Sequence, residues 1–196
     1  MRTMCKRMIS QVKEKRKASG AIGYVFLFLV VLILVILTLY LVQVAKLMTH
    51  QHHVDDSLAD SVLASLVADD IYYFETYERT GTPVIRFKST DNSHAIFADC
   101  MRDAIADTDG FYYNFSFDSF ICYEVEGTNI SITTYSGNGG TKRVSAGRAG
   151  AVRAPTGEIV RETSAYGKVR FDIENIIDKR YITKTKDIYC TLEINN

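Results

Sequence analysis

Four absences bound what this chain of 196 residues can be. No charged residue occurs between Lys17 and Lys46, which excludes an ordinary solvated surface helix over that stretch. No glycine or proline occurs between Gly23 and Gly81, so no simple helix breaker stands there. The four cysteines form no Cys-x-x-Cys pair, which leaves a zinc site without support. No Ser-His-Asp set, paired acid cluster in a recognisable frame or Cys-His nucleophile motif stands out. An enzyme therefore has nothing specific behind it, and no catalytic, cofactor-binding or metal-binding residue is assigned.

What fills the first gap is AIGYVFLFLVVLILVILTLYLVQVA, from Ala21 to Ala45, apolar on every side. As a helix it reaches about 37 Å, enough to cross a hydrocarbon layer of about 30 Å with some tilt. A core helix or a packed pair of strands is the alternative, but a buried soluble helix seldom runs so long without a polar stripe. The apolar core is too long for a cleaved secretory signal, and no small-x-small site follows before Lys46. The run reads as an uncleaved anchor, with membrane lipid as its partner.

The formal net charge is zero, yet it is unevenly placed. Residues 1–20 carry Arg2, Lys6, Arg7, Lys13, Lys15, Arg16 and Lys17 against Glu14 alone, a balance of +6 that leaves −6 for the remainder. Basic residues beside a span stay cytoplasmic, so the expected localisation is a cell membrane, single-pass, N-terminus cytoplasmic and C-terminal domain extracytoplasmic. Topology and lipid contact account for the basic cluster, and no nucleic-acid partner is expected. Cys5 then lies inside, and Cys100, Cys122 and Cys190 outside, read as free, buried thiols, with one disulfide and a spare thiol as the alternative in an oxidising compartment.

Beyond Lys46 the helical pattern continues. Leu47, Val54, Leu58, Val62 and Leu66 recur at spacings near four and seven, with Leu63, Val67 and Ile71 in a neighbouring row and Asp55, Asp56, Asp60, Asp69 and Asp70 largely opposite. This predicts one helix from Ser19 to about Tyr77, stopped by Gly81-Thr82-Pro83. The expected order after it is a short strand over Val84–Lys88, a helix over 93–110 with Ile96, Phe97, Cys100, Met101 and Ile105 on one face, and strands over Phe111–Phe117, Phe120–Glu126 and Ile130–Tyr135. Gly137–Gly157, glycine-rich and basic, reads as a mobile loop. A weak strand over 158–163 and better ones over Lys168–Ile176 and Asp187–Ile194 close the chain. The fold class is α+β: a single N-terminal transmembrane helix continuing into a long amphipathic helix, then a small, mainly antiparallel sheet domain with one short helix. The expected divisions are a basic cytoplasmic tail 1–20, the span 21–45, the amphipathic extension 46–78 and the extracytoplasmic domain 79–196.

Three further features carry bland readings. His50, His52, His53, Asp55 and Asp56 crowd just outside the span, but only some share a helix face, so they read as a solvated juxtamembrane patch rather than a metal site. GNGGTK lacks phosphate-loop spacing. Asn114-Phe-Ser and Asn129-Ile-Ser fit the glycosylation acceptor pattern, which arises often by chance.

At KRKASGAIGYVFLFLVV a basic stretch, a glycine and an apolar helix running into an amphipathic one resemble the type IV pilin superfamily. Within it, the chain is similar to TadE-like minor pilins of tight-adherence (Flp-type) pili. The resemblance covers about residues 13–50. It implies a prepilin peptidase that cuts after Gly20, leaving Ala21 as the new terminus, and a helix that packs with other pilin-like subunits while the globular domain faces outward. It also implies glutamate at the fifth position after the cut, where this chain has Val25. The expected function is thus a membrane-anchored, non-enzymatic minor-pilin-like component of a bacterial surface pilus or secretion apparatus. The alternative is a single-pass extracytoplasmic binding or sensor module.

Overall fold

The structure, a computed structural model, describes residues 2–108, 110–175 and 179–192, with side chains from residue 22 onward and Gln51 excepted. It is α+β and divides into two units, residues 1–48 and 49–196. Helix α1, Arg2–Ser65, runs through the first and supplies the opening of the second.

In the first unit every residue from 22 to 43 is exposed. No described residue covers this apolar run. From Ile22 it is long and apolar enough to cross a membrane.

In the second unit α1 becomes amphipathic. Val54, Leu58 and Val62 recur every fourth residue and are fully buried. The helix ends at Ser65, twelve residues before the expected Tyr77. The missing stop signal is polar. Ser65 turns its hydroxyl back onto the Val62 carbonyl, and Asp69 in extended conformation accepts the Tyr72 N–H and caps a separate helix α2, Asp70–Thr80. Between them the backbone pairs elsewhere: Asp69 N–H donates to Arg86 and Lys88 N–H to Val67. Leu66, expected in the buried row, falls in this link and is half-buried. The expected strand over Val84–Lys88 reduces to a single bridge, Ala68 with Phe87. Gly81, with φ of 71°, ends α2 in the left-handed conformation.

Helix α3, Thr90–Ala106, begins at a Ser89 cap and buries Phe97 and Met101. Among the described residues two short helices follow α1, where one is expected. The strands are β1 Tyr112–Glu126, β2 Asn129–Ser136, β3 Thr141–Arg148, β4 Ser164–Glu174 and β5 Tyr181–Thr191, in one sheet ordered β3-β2-β1-β4-β5 with every pair antiparallel. The two aromatic segments expected as separate strands are one, irregular between Tyr113 and Ser119, where Asn114 has a φ of 51°. The expected Gly137–Gly157 loop contains β3. Its side chains are nearly all exposed, as suits a basic edge strand, and Gly137 and Gly140 supply the positive-φ turn that folds it onto β2. Residues 158–163 form only the Arg153–Ile159 bridge.

Both sheet faces are covered. On one lie Phe117, Phe120, Cys122, Val169 and Phe171, with the Phe97 ring stacked 4.7 Å from Phe120. On the other, Tyr123, Ile130 and Tyr166 pack with Ala154 and Val160 from the segment between β3 and β4. Cys122 is buried and Cys100 and Cys190 are half-buried, all three free; Cys5 lies outside the described side chains. Gly167 on β4 sits where α1 and α3 both meet the sheet. A Cβ there would lie 2.7 Å from Val62 Cγ2 and 2.9 Å from Phe97 Cε2, so the position needs glycine for space.

This contact is testable by urea unfolding of the full chain in detergent. Gly167→Ala should cost about 1–3 kcal/mol by overpacking, and Val62→Asp roughly 2–4 kcal/mol by burying an unpaired charge. Unchanged midpoints for both would mean that α1 does not pack on β4.

Candidate functional site

A concave site lies at the end of the sheet where β1 turns into β2. Strand alternation puts Glu124 and Glu126 on the helix-covered face, opposite Ser131 and Asn129 of β2. Four polar side chains therefore form a floor two residues wide on two strands. The segment Val84–Lys88, Thr90 and Tyr72 of α2 wall it, enclosing about 420 Å³, within the range of small-molecule sites.

The walls are fixed by specific bonds. Glu124 Oε1 accepts the Phe87 backbone N–H at 3.1 Å. Thr163 donates its hydroxyl to the Ile85 carbonyl and accepts the Val125 N–H, tying the same segment to β1. The Arg86 guanidinium lies 3.5 Å above the Tyr72 ring and donates to Asp69 at 2.9 and 3.1 Å. The Tyr72 hydroxyl lies 3.4 Å from Glu126. Burial raises the Glu124 carboxyl above its ordinary value, whereas the Arg86 hydrogen bonds hold the Asp69 carboxyl below its own. Two carboxylates, three hydroxyls and an amide suit hydrogen-bonded recognition of a polar ligand; Arg86 already has partners.

A second polar cluster joins the start of α3 to the β2–β3 hairpin. Asp91 accepts from Lys142 Nζ at 2.8 Å and from the Tyr135 hydroxyl at 2.7 Å. His94 stacks on Tyr135, 4.4 Å between ring centroids, and occupies the space a Cβ at Gly140 would need. Burial lowers the His94 imidazole below its ordinary value. Every group in this cluster has a partner, so it reads as a clamp that holds the hairpin.

Gly20 and Ala21, the expected processing site, lie within α1 but outside the described side chains. The histidines do not converge. His50 stacks on Phe111, while His53 Nδ1 sits 3.5 Å from the Ser57 hydroxyl. Asp55 pairs with Lys186 at 2.8 Å and Asp56 is exposed. Among the described residues no group of three or more His, Cys, Asp or Glu is placed to hold a metal ion. Asn114, in the first acceptor triplet, donates to Asp172, and Asn129, in the second, lines the cleft. The sequence reading missed Glu124 and Tyr72. The signal was present in FICYEVE: counting by two from buried Cys122 puts both glutamates on an inward face, where an acid is unusual.

Compared with known proteins, the chain matches no family model, no curated protein and no solved structure.

The raised Glu124 pKa has a consequence for stability. The folded chain holds this proton more tightly than the unfolded chain, whose value is near 4.5. Ionisation therefore costs the native state, and the cost appears as pH rises above that value. Glutamine cannot ionise and still accepts the Phe87 N–H. Glu124→Gln should accordingly gain on the parent in thermal melting at pH 7 relative to pH 4. A variant that loses more stability at pH 7 than at pH 4 contradicts this.

Proposed function

We propose that this chain is a membrane-anchored, non-enzymatic subunit of pilin-like build, a minor component of a bacterial surface pilus or secretion apparatus. One observation carries the reading. A single helix, α1, supplies both the uncovered apolar run from Ile22 and the buried row Val54, Leu58 and Val62 under the sheet. A subunit drawn from lipid into a fibre needs such an element, because it exchanges lipid contacts along one half for helix–helix contacts while the other half holds a folded domain. The basic tail gives a cytoplasmic N-terminus and an outward sheet domain.

Val25 shapes the role within that class. A carboxylate in lipid is costly unless it meets a partner such as a neighbour's terminal amine, and valine removes the cost and the pairing together. Cutting after Gly20 is then compatible with poor entry into a long filament, which favours a capping, priming or membrane-retained role. The cleft beside Glu124 favours a second reading, an anchored binding module.

Intact-mass measurement of the protein from its own host separates the two. The pilin-like reading expects a mature chain beginning at Ala21. A chain that still begins at Met1 in a host with an active prepilin peptidase contradicts it and leaves the anchored binding module.

A further inference from the structure

The second unit carries an aromatic rim at the end where the chain enters it. The apolar run ends at Ala45, and His50 follows five residues later, at most about 18 Å along the chain even if fully extended. His50 is already built into the folded unit: its ring stacks 4.1 Å from Phe111, and its carbonyl accepts the Tyr112 hydroxyl. Tyr112 opens β1, so this end of the sheet lies beside the entering chain. The last residues of β4 and the first of β5 lie at the same end, since Tyr112 pairs with Ile173 and Glu174 with Tyr181.

Three large side chains stand out of the protein there. Tyr181 is 56% exposed, Ile182 44% and Tyr113 38%. The two tyrosine rings lie 5.0 Å apart on one sheet face, and Ile182 points to the other, so the group edges the rim from both sides. Lys179 and Arg180 precede them. Lys179 pairs with Glu174 at 3.1 Å and Asp172 is bonded to Asn114 and Thr183, so the rim's acids are engaged locally. Exposed tyrosines with an isoleucine and flanking cations match the composition of membrane-interface belts, where a ring body is apolar and its hydroxyl stays wet. The opposite end of the unit differs in charge rather than in apolar exposure. Some 45 Å away along β1, the cleft floor carries Glu124 and Glu126, and α2 adds Asp70, Glu75 and Glu78 beside its own exposed Ile71, Phe74 and Tyr77.

We propose that the rim formed by Tyr113, Tyr181 and Ile182 rests in the headgroup layer of the membrane that α1 enters, as a second contact between the folded unit and lipid. This rests on the membrane reading of α1. The rim limits the tilt of the folded unit and holds the cleft end away from lipid. It also opposes extraction of the subunit, because removal gives up the rim's contact together with that of the helix.

The chain contains no tryptophan, so single substitutions make clean reporters. The full chain is placed in phosphatidylcholine nanodiscs with bromines near the headgroup end of the acyl chains. Tyr181→Trp and Ile182→Trp report the rim, Tyr77→Trp the exposed face of α2 and Phe28→Trp the apolar run. The rim reporters should be quenched at least about twofold more than Tyr77→Trp, as expected for side chains seated a few ångströms into the interface. Either rim reporter suffices if the other variant fails to fold. Equal quenching at rim and α2, or none at the rim while Phe28→Trp is quenched, overturns the rim contact alone. Absence of quenching at Phe28→Trp overturns the membrane reading itself.

Discussion

The structure depends on the close approach of two helices to one glycine. Val62 of α1 and Phe97 of α3 meet over Gly167, where there is no room for a Cβ. Phe97 in turn stacks on Phe120 of β1, the middle strand of the sheet. Each such buried side chain contributes about 1.5–3 kcal/mol toward holding the end of α1 on the sheet. A helix that is otherwise an uncovered apolar rod thereby becomes part of a folded unit. Remove that contact and the sheet loses the cover on one face, while the helix keeps only its uncovered apolar half.

That dependence assigns different work to the two sheet faces. The helix-covered face fixes where α1 ends and where α2 begins, because Asp69 and Lys88 pair with the backbone across the link. It also forms the cleft, whose floor is the uncovered remainder of the same face beyond α3. The opposite face is closed by Ala154 and Val160 from the long β3–β4 connection. The membrane-anchored, pilin-like reading draws on α1, and the binding-module reading on the cleft. Both need the same packing to hold.

Much of this was legible from periodicity. The four-residue rhythm of Val54, Leu58 and Val62 and the shared face of Phe97 and Met101 appear buried as read. The hairpin at Gly127 was marked by its turn residues, and β1 with β2 follows from it. The failures have local causes. Apolar spacing outlasts the helix beyond Ser65, and the stop comes from Asp69 acting as a cap rather than from glycine or proline. β3 resembles a loop in sequence because an edge strand needs only backbone pairing and its side chains face solvent. Early strand starts at Ser164 and Tyr181 were hidden by polar residues whose order comes from neighbouring strands. The cleft was the least legible feature, since it requires Glu124 to be met by Phe87, a contact between segments 37 residues apart.

The central claim is that one helix serves lipid at its start and a protein core at its end. Amide hydrogen exchange on the full chain in nanodiscs tests it directly, because protection reports which segments open together. The account predicts that amides of residues 54–65 exchange as slowly as those of the central strands β1 and β4, that those of 22–45 are protected by lipid, and that α2 exchanges faster than either. Rapid exchange over 54–65 alongside protected β1 and β4 would contradict it, since the sheet would then stand without the helix.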